Sequence, residues 1–177
     1  MDSGEELQNR THPFRLDSEV YATWGTPIFL SMCFVMREEL NGELNDVFRG
    51  TLEECAARWG LALHAYCLMP DHMHVVVSVQ PRTGDFERFT RRLKCETSRR
   101  IHLRGFPTFG WQRSFWDRNA RKEDDVRARI EYTLGNPVRK GLCRFPNDWL
   151  WSKYYGWPRT PTEGPSERRL RREAGPG

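Results

Sequence analysis

Two histidines separated by one residue are the first feature of this sequence that could do chemistry. His72 and His74 flank Met73 at the start of the apolar run HMHVVVSVQ. Side chains alternate across a β-strand, so both imidazoles would point to one face and could together hold one divalent ion. The alternative is that both histidines only hydrogen-bond to loops or lie in solvent. The pair alone leaves both interpretations open.

A tyrosine and an asparagine form a second candidate group. In EYTLGNPVRKGL, Tyr132 and Asn136 are one helical turn apart. At about 100° per residue they lie on a face away from the apolar stripe of that helix. The stripe consists of Val126, Ile130 and Leu134. Both residues also have structural explanations, because an asparagine before a proline commonly caps a new helical turn and an amphipathic tyrosine often only packs.

Hydrophobic periodicity predicts the elements that would position these groups. Strands are predicted at Glu19 to Trp24, Leu61 to Met69, His72 to Gln80 and Trp111 to Trp116, and helices at Gly42 to Gly60, Asp85 to Arg104 and Lys122 to Gly135. The segment Thr26 to Asn41 receives no assignment. The order β-α-β-β-α-β predicts an α+β fold, the ferredoxin-like split βαβ arrangement, with an antiparallel sheet and two helices on one face. The histidines would then lie on the opposite, more open face, toward the third helix.

Composition predicts one domain. The chain has 177 residues with 38% hydrophobic content and seven tryptophans, which suits a single core spanning residues 17–156. Residues 1–16 are predicted to be a flexible arm and residues 157–177 a flexible basic tail. The five cysteines include no C-x-x-C pair. With no long apolar segment and no signal peptide, we expect a cytoplasmic protein without a membrane partner.

Positive charge is concentrated in the second half of the chain. Between Arg88 and Arg144 there are 16 Lys and Arg residues against 6 Asp and Glu residues, a net charge of +10, although the whole chain carries only +4. Tryptophan and phenylalanine side chains lie among these arginines. Such a composition suits a nucleic acid, because arginine binds phosphate and aromatic rings stack on unpaired bases. A solvated helix face is the alternative.

Three segments together resemble a known family. AYCLMPDHMHVVV, EYTLGNPVRKGL and WLWSKY are similar to the signature blocks of the REP-associated tyrosine transposases, relatives of the single-tyrosine HUH transposases of bacterial insertion sequences. The resemblance covers Glu19 to Tyr155 and implies an HUH fold, which is ferredoxin-like. It implies that Tyr132 is the nucleophile and that His72, His74 and Asn136 bind Mg²⁺ or Mn²⁺. Mg²⁺ prefers oxygen ligands, whereas imidazole nitrogen is a softer ligand. Two histidines in the site therefore favour Mn²⁺.

The activity implied by the resemblance is metal-dependent cleavage and rejoining of single-stranded DNA through a 5′-phosphotyrosine. The implied substrate is a DNA hairpin with an adjacent unpaired guide sequence, which places the protein on the bacterial nucleoid. Three positions depart from the family pattern, one of them Thr133 in the tyrosine block. Asp71 stands where asparagine is common, and Gly135 predicts a looser helix before Asn136.

The basic half supplies the candidate DNA-binding residues. These are Arg91, Arg92, Arg99, Arg100, Trp111, Arg113 and Arg129. The arginines of the second helix, with the basic tail, would hold hairpin phosphates, and Trp111 or Trp116 would pack near unpaired bases. Burial in the core is the alternative for both tryptophans.

Three other functions remain open from the sequence. The chain could be a transposase remnant that binds hairpins without cutting them, or a metal-dependent phosphodiesterase that uses water instead of Tyr132. It could also hold a structural metal with His72, His74 and Cys67. Whether the protein is a monomer or a homodimer is not predicted.

Overall fold

The computed structural model describes residues 16–35, 42–119 and 123–157. The predicted arm before Leu16, the predicted tail after Trp157 and the predicted helix start at Lys122 lie outside these residues. The helices are α1 (Ser18–Ala22), α2 (Gly42–Arg58), α3 (Phe86–His102) and α4 (Glu123–Arg139), and the strands are β1 (Pro27–Cys33), β2 (Leu61–Leu68), β3 (His72–Val79), β4 (Trp116–Asn119) and β5 (Ser152–Tyr154). None of the helices within the described ranges combines the length and hydropathy needed to cross a bilayer.

The strands form one antiparallel sheet. Its order is β4-β1-β3-β2-β5, with β3 at the centre between β1 and β2. The first four strands in this order, connected through α2 and α3, give the predicted ferredoxin-like arrangement, which is therefore confirmed. The short strand β5 was not predicted, and it extends the sheet by pairing with β2.

The larger core lies between the sheet and helices α2 and α3. Met73, Val75, Val77 and Val79 of β3 contribute to it, as alternation along the strand predicts. Phe48 and Leu52 of α2 and Phe86, Phe89 and Leu93 of α3 fill the space above them. Gly60 ends the turn after α2 with a positive φ of 63°, as its position in the sequence predicts.

Helix α4 covers the other face of the sheet. Val126 and Ile130 pack there against Phe29, Ala65 and Val76. The expectation that this face is the more open one is wrong, because α4 must bury its own apolar stripe and the sheet is the surface available to it. The histidine face of β3 is consequently enclosed rather than exposed.

Two predicted strands are misplaced. Glu19 to Trp24 contains the short helix α1, and the first strand is instead β1, within the segment that received no assignment. The fourth strand begins at Trp116, the residue at which the prediction ended, and Trp111 makes only an isolated bridge to Phe34. The position of the fourth strand comes from tertiary pairing, since its residues are held in register with β1.

Candidate active site

His72 and His74 face each other across the start of β3. Their Nε2 atoms are 3.0 Å apart, and the ring of His72 is fixed by an Nδ1 hydrogen bond of 2.6 Å to the carboxylate of Asp71. His72 is partly accessible, whereas His74 is only 4% exposed. Alternation along the strand therefore brings both imidazoles to one point, as predicted.

The two facing Nε2 atoms are close enough to hydrogen-bond to each other, and the same separation would also allow both to bind one metal ion. Nδ1 of His74 is buried and has no hydrogen-bond partner among the described residues, although buried polar atoms are normally paired. Two nitrogen ligands about 2.1 Å from one ion and at right angles would lie about 3.0 Å apart, which is the separation of the two Nε2 atoms. Burial, followed by the charges of His72 and Arg139, holds the pKa of His74 well below its ordinary value. His74 is therefore neutral near pH 7, as a metal ligand must be.

Among the described residues, a third protein ligand for such an ion would not be a His, Cys, Asp or Glu side chain. Within the described ranges, no three His, Cys, Asp or Glu side chains converge to hold an ion. Cys67 pairs with His74 in the sheet register, but its Sγ atom lies 3.7 Å from Sδ of Met69 and burial raises its pKa to about 12. The Cys67 side chain packs in a cluster with Met69 and Trp149, which counts against the structural metal site. Asn136 is buried, with 3% exposure, on the helix that packs against β2 and β3.

Tyr132 lies beside the histidine pair and remains accessible. Its ring centre is 5.6 Å from that of His74 and 5.8 Å from that of Phe29, with edge-to-face geometry in both contacts. The side chain is 41% exposed. The predicted face of α4 is partly wrong, because Asn136 belongs to the buried side of the helix and Tyr132 lies at its border. With Asn136 on the buried side of α4, Tyr132 lies beside the two histidines.

Helix α4 continues past Asn136 instead of loosening there. It runs through Gly135 and Pro137 to Arg139, and the amide of Lys140 still donates to the carbonyl of Asn136 at 3.0 Å. The guanidinium carbon of Arg139 lies 4.2 Å from the ring centre of Tyr132. The predicted loosening at Gly135 is therefore wrong, and Arg139 is a site residue that the sequence analysis missed.

Further cations lie along the same side of the sheet. The guanidinium of Arg129 lies 5.6 Å from the ring centre of Phe29, and that of Arg118 lies 4.8 Å from the ring centre of Trp116. Trp116 packs edge-on against Phe29 at 5.6 Å. The ring of Phe29 in turn packs edge-to-face against the ring of Tyr132. Of the predicted DNA-binding residues, Arg129 is thus near the tyrosine, while Arg118 was not predicted.

The arginines of α3 lie on the other side of the sheet. Arg91, Arg92 and Arg99 are exposed, and Arg99 pairs with Glu96 on the same helix. Arg100 donates to Glu54 and to the hydroxyl of Thr51, and both contacts join α3 to α2. The structure therefore does not bring these four residues to the tyrosine, and Arg100 has a structural role between the helices.

The two remaining candidates precede β4. Trp111 packs edge-on against Phe34, Phe48 and Phe109, and its indole donates to Thr97 at 2.8 Å. Trp111 is consequently a packing residue, the alternative that the sequence left open. Arg113 is exposed and lines a cleft with Arg91 and Phe115.

One family model matches the central part of the sequence. The family model described as IS200-like transposase matches residues 29–120, just over half of the chain. The matched segment contains the histidine pair and ends before Tyr132.

Two curated proteins and one solved structure are similar to the chain. A Haemophilus influenzae protein named as a REP-associated tyrosine transposase is 23% identical over 134 residues, which cover 68% of this chain and 76% of that protein. The Escherichia coli K12 REP-associated tyrosine transposase is 27% identical over 93 residues, covering 52% of this chain and 54% of that protein. A REP-associated tyrosine transposase bound to a REP hairpin superimposes with a TM-score of 0.67 at 21% identity, over 89% of this chain and 97% of that chain. The superposition shows the same fold.

Proposed function

Because this chain belongs to the IS200-like transposase family, whose members process DNA, we propose that it cleaves and rejoins single-stranded DNA at hairpin-forming repeats. The observation that carries this proposal is the accessible tyrosine of α4 beside the facing histidines of β3, with ring centres 5.6 Å apart. These residues are 58 or more positions apart in the sequence and meet only through the fold. Such a meeting of a nucleophile with a paired-imidazole site suits phosphoryl transfer.

In the proposed reaction, Oη of Tyr132 attacks the phosphorus of a DNA phosphodiester. The bond between phosphorus and the 3′ oxygen breaks, the phenol gives up its proton, and the 3′ oxygen leaves as a hydroxyl. The phosphate stays on the tyrosine as a 5′-phosphotyrosine. Attack by a 3′-hydroxyl on this ester reverses the step, so rejoining needs no nucleotide cofactor.

His72, His74 and Asn136 are the residues that would hold a Mg²⁺ or Mn²⁺ ion. The facing Nε2 atoms support this proposal, and Asn136 is buried on the helix that packs against β2 and β3. When bound, the ion would supply positive charge to the scissile phosphate. Asp71 would keep the His72 ring in place through its hydrogen bond to Nδ1.

A DNA hairpin with an adjacent unpaired guide sequence is the proposed substrate, and the structurally similar protein is bound to a REP hairpin. Arg91 and Arg113 line one cleft on the α3 side. Trp116 and Arg118 follow on the edge strand β4, and Phe29 then leads to Tyr132. A DNA strand passing around the β4 edge would meet cations and an aromatic ring on its way to the nucleophile.

Formation of a covalent protein–DNA adduct tests this function. Wild type, Tyr132→Phe and the control Tyr154→Phe are incubated with Mn²⁺ and end-labelled single-stranded DNA from repeats beside the gene, then resolved on a denaturing gel. Tyr154 is exposed on β5. We expect labelled protein with wild type and the control and none with Tyr132→Phe, because only Tyr132 lies at the histidine pair.

Other results would identify the competing functions. Cleavage without attachment, retained in Tyr132→Phe, would show water to be the nucleophile. Tight hairpin binding with neither cleavage nor attachment would leave a hairpin-binding remnant.

A further inference from the structure

We propose that Arg139 is a positioning residue that holds Tyr132 for attack, in a slot that Gly135 keeps open. The inference rests on the proposed function, because it concerns how the nucleophile is held. Helix α4 carries all three residues, and Arg139 is seven positions after Tyr132. Two helical turns place both side chains on one face, with Gly135 between them.

Arg139 contacts Tyr132 in two ways. Its guanidinium carbon lies 4.2 Å from the ring centre, a distance typical of cation–π stacking. Its Nη2 atom also donates to the backbone carbonyl of Tyr132. The two contacts tie the phenol ring to the helix backbone through one planar group, which a lysine side chain could not reproduce.

Gly135 provides the space for this contact. Helical side chains lean toward the N-terminus, so Arg139 crosses the turn that contains Gly135. A Cβ atom at position 135 would lie 3.0 Å from Nη1 of Arg139, closer than ordinary van der Waals contact. A glycine inside a helix costs stability relative to alanine, and a Cβ here would require the guanidinium of Arg139 to shift by a few tenths of an ångström.

The position of Tyr132 explains why such a device is needed. The side chain is 41% exposed and lies at the border of the buried face of α4. An exposed tyrosine is free to change rotamer, whereas in-line attack on phosphorus needs one ring position. Edge contacts to Phe29 and His74 restrict the movement of the Tyr132 ring on one side. The guanidinium of Arg139 restricts it by stacking on the face of the ring.

The test compares Arg139→Ala, Arg139→Lys, Gly135→Ala and the double variant Gly135→Ala/Arg139→Ala. Three quantities are measured: the single-turnover rate of covalent adduct formation at saturating DNA, the Kd for that DNA, and the Tm. We expect Arg139→Ala to lower the saturated rate about 10- to 100-fold while the Kd changes by less than about twofold. Arg139→Lys should recover little of the rate.

Gly135→Ala separates positioning from stability. Alanine should keep or raise the Tm, because it is the better helix former, yet it should lower the adduct rate by displacing the guanidinium. The double variant should be no slower than Arg139→Ala alone. A fully active Gly135→Ala, or an Arg139→Ala whose Kd rises while its saturated rate is intact, would overturn the proposal in favour of a packing or phosphate-binding role.

A readout without DNA keeps this inference distinct from the proposed function. The protein has five tyrosines, so ring ¹³C labelling gives a simple NMR spectrum in which Tyr132→Phe identifies the Tyr132 signal. That signal should move in both Arg139→Ala and Gly135→Ala. If wild type forms no adduct but the signal moves, the proposed function fails and the positioning stands. A signal that stays in place in both variants overturns the positioning.

Discussion

Asp71 determines which nitrogen of His72 faces the centre of the site. Its carboxylate accepts the Nδ1 hydrogen at 2.6 Å, so in the neutral ring the lone pair is on Nε2, the atom that faces His74. A carboxylate behind a metal-binding imidazole fixes the ring orientation and makes the nitrogen a stronger ligand. The residue that departs from the family pattern is thus compatible with the proposed metal site.

We predict that Asp71→Ala raises the Mn²⁺ concentration needed for half-maximal adduct formation about 10- to 100-fold. Asp71→Asn should have a smaller effect, because its amide oxygen can still accept the Nδ1 hydrogen. The measurement is a Mn²⁺ titration of the adduct assay. Asp46→Ala serves as the control, since Asp46 is an exposed residue of α2 that pairs with Arg49. An unchanged Mn²⁺ midpoint in Asp71→Ala would contradict the role given to this carboxylate.

At the scale of single elements, helix α4 shows what local sequence signals could not provide. Type and spacing made Tyr132 and Asn136 candidates and the family resemblance gave them their roles, but the helix was predicted to end at Gly135. Pro137 removes one backbone donor and discourages the preceding turn, yet the helix continues to Arg139 because its face packs on β2 and β3. Because the helix was predicted to end at Gly135, the sequence analysis did not indicate that Arg139 lies two helical turns after Tyr132 on the same helix.

The strands differ in how far the sequence predicts them. Strands β2 and β3 are apolar runs on either side of a Pro-Asp turn, and both were predicted to within one residue at each end. Strand β4 contains Asp117, Arg118 and Asn119, which have low strand propensity. Its extended conformation comes from pairing with β1. The local sequence of β4 does not show which strand it will pair with. Arg118, the cation beside Trp116, was missed for the same reason.

The exposed arginines of helix α3 lead to a prediction about the affinity of the protein for a DNA hairpin. Arg91 and Arg92 are exposed on this helix, while Arg100 forms an ion pair with Glu54 of α2. We expect the double reversal Arg91→Glu/Arg92→Glu to weaken hairpin binding and to reduce the slope of log K against log salt by about two, because each phosphate contact contributes about 0.9. Binding is measured by titration at several salt concentrations. A matched reversal at Arg49 of α2 is the control, and an unchanged slope in the double variant would remove α3 from the DNA surface.

At the scale of the whole molecule, the sheet is buried on both faces and two histidines lie within it. His74 is 4% exposed, and His64 is 2% exposed. Nε2 of His64 lies 2.8 Å from the hydroxyl of Ser78 and Nδ1 lies 3.0 Å from the carbonyl of Gly156. Its ring also contacts Trp157 at 4.5 Å between centres. His64 therefore ties the chain after β5 to the sheet.

Both buried histidines should make the folded state sensitive to mild acid. Burial lowers the pKa of His64, although its hydrogen bond to Gly156 acts in the opposite direction, and burial lowers the pKa of His74 further. In the unfolded chain the histidine pKa is about 6.5. Below that pH the unfolded state therefore binds protons that the folded state does not. The free energy of unfolding must consequently fall as the pH drops through 6.5, and it is fully retained above this value.

We predict that wild type loses unfolding free energy between pH 7.5 and pH 5.5, by at most about 1.4 kcal/mol per pH unit for each buried histidine. The measurement is urea denaturation at both pH values. Most carboxylates titrate near pH 4, and the hydrogen bond from Arg100 lowers the pKa of Glu54 further, so the interval reports mainly on histidines. His64→Gln should shrink the difference between the two pH values, whereas His102→Gln, at an exposed position on α3, is the matched control. Equal losses in wild type and His64→Gln would show that His64 takes up its proton without leaving the fold.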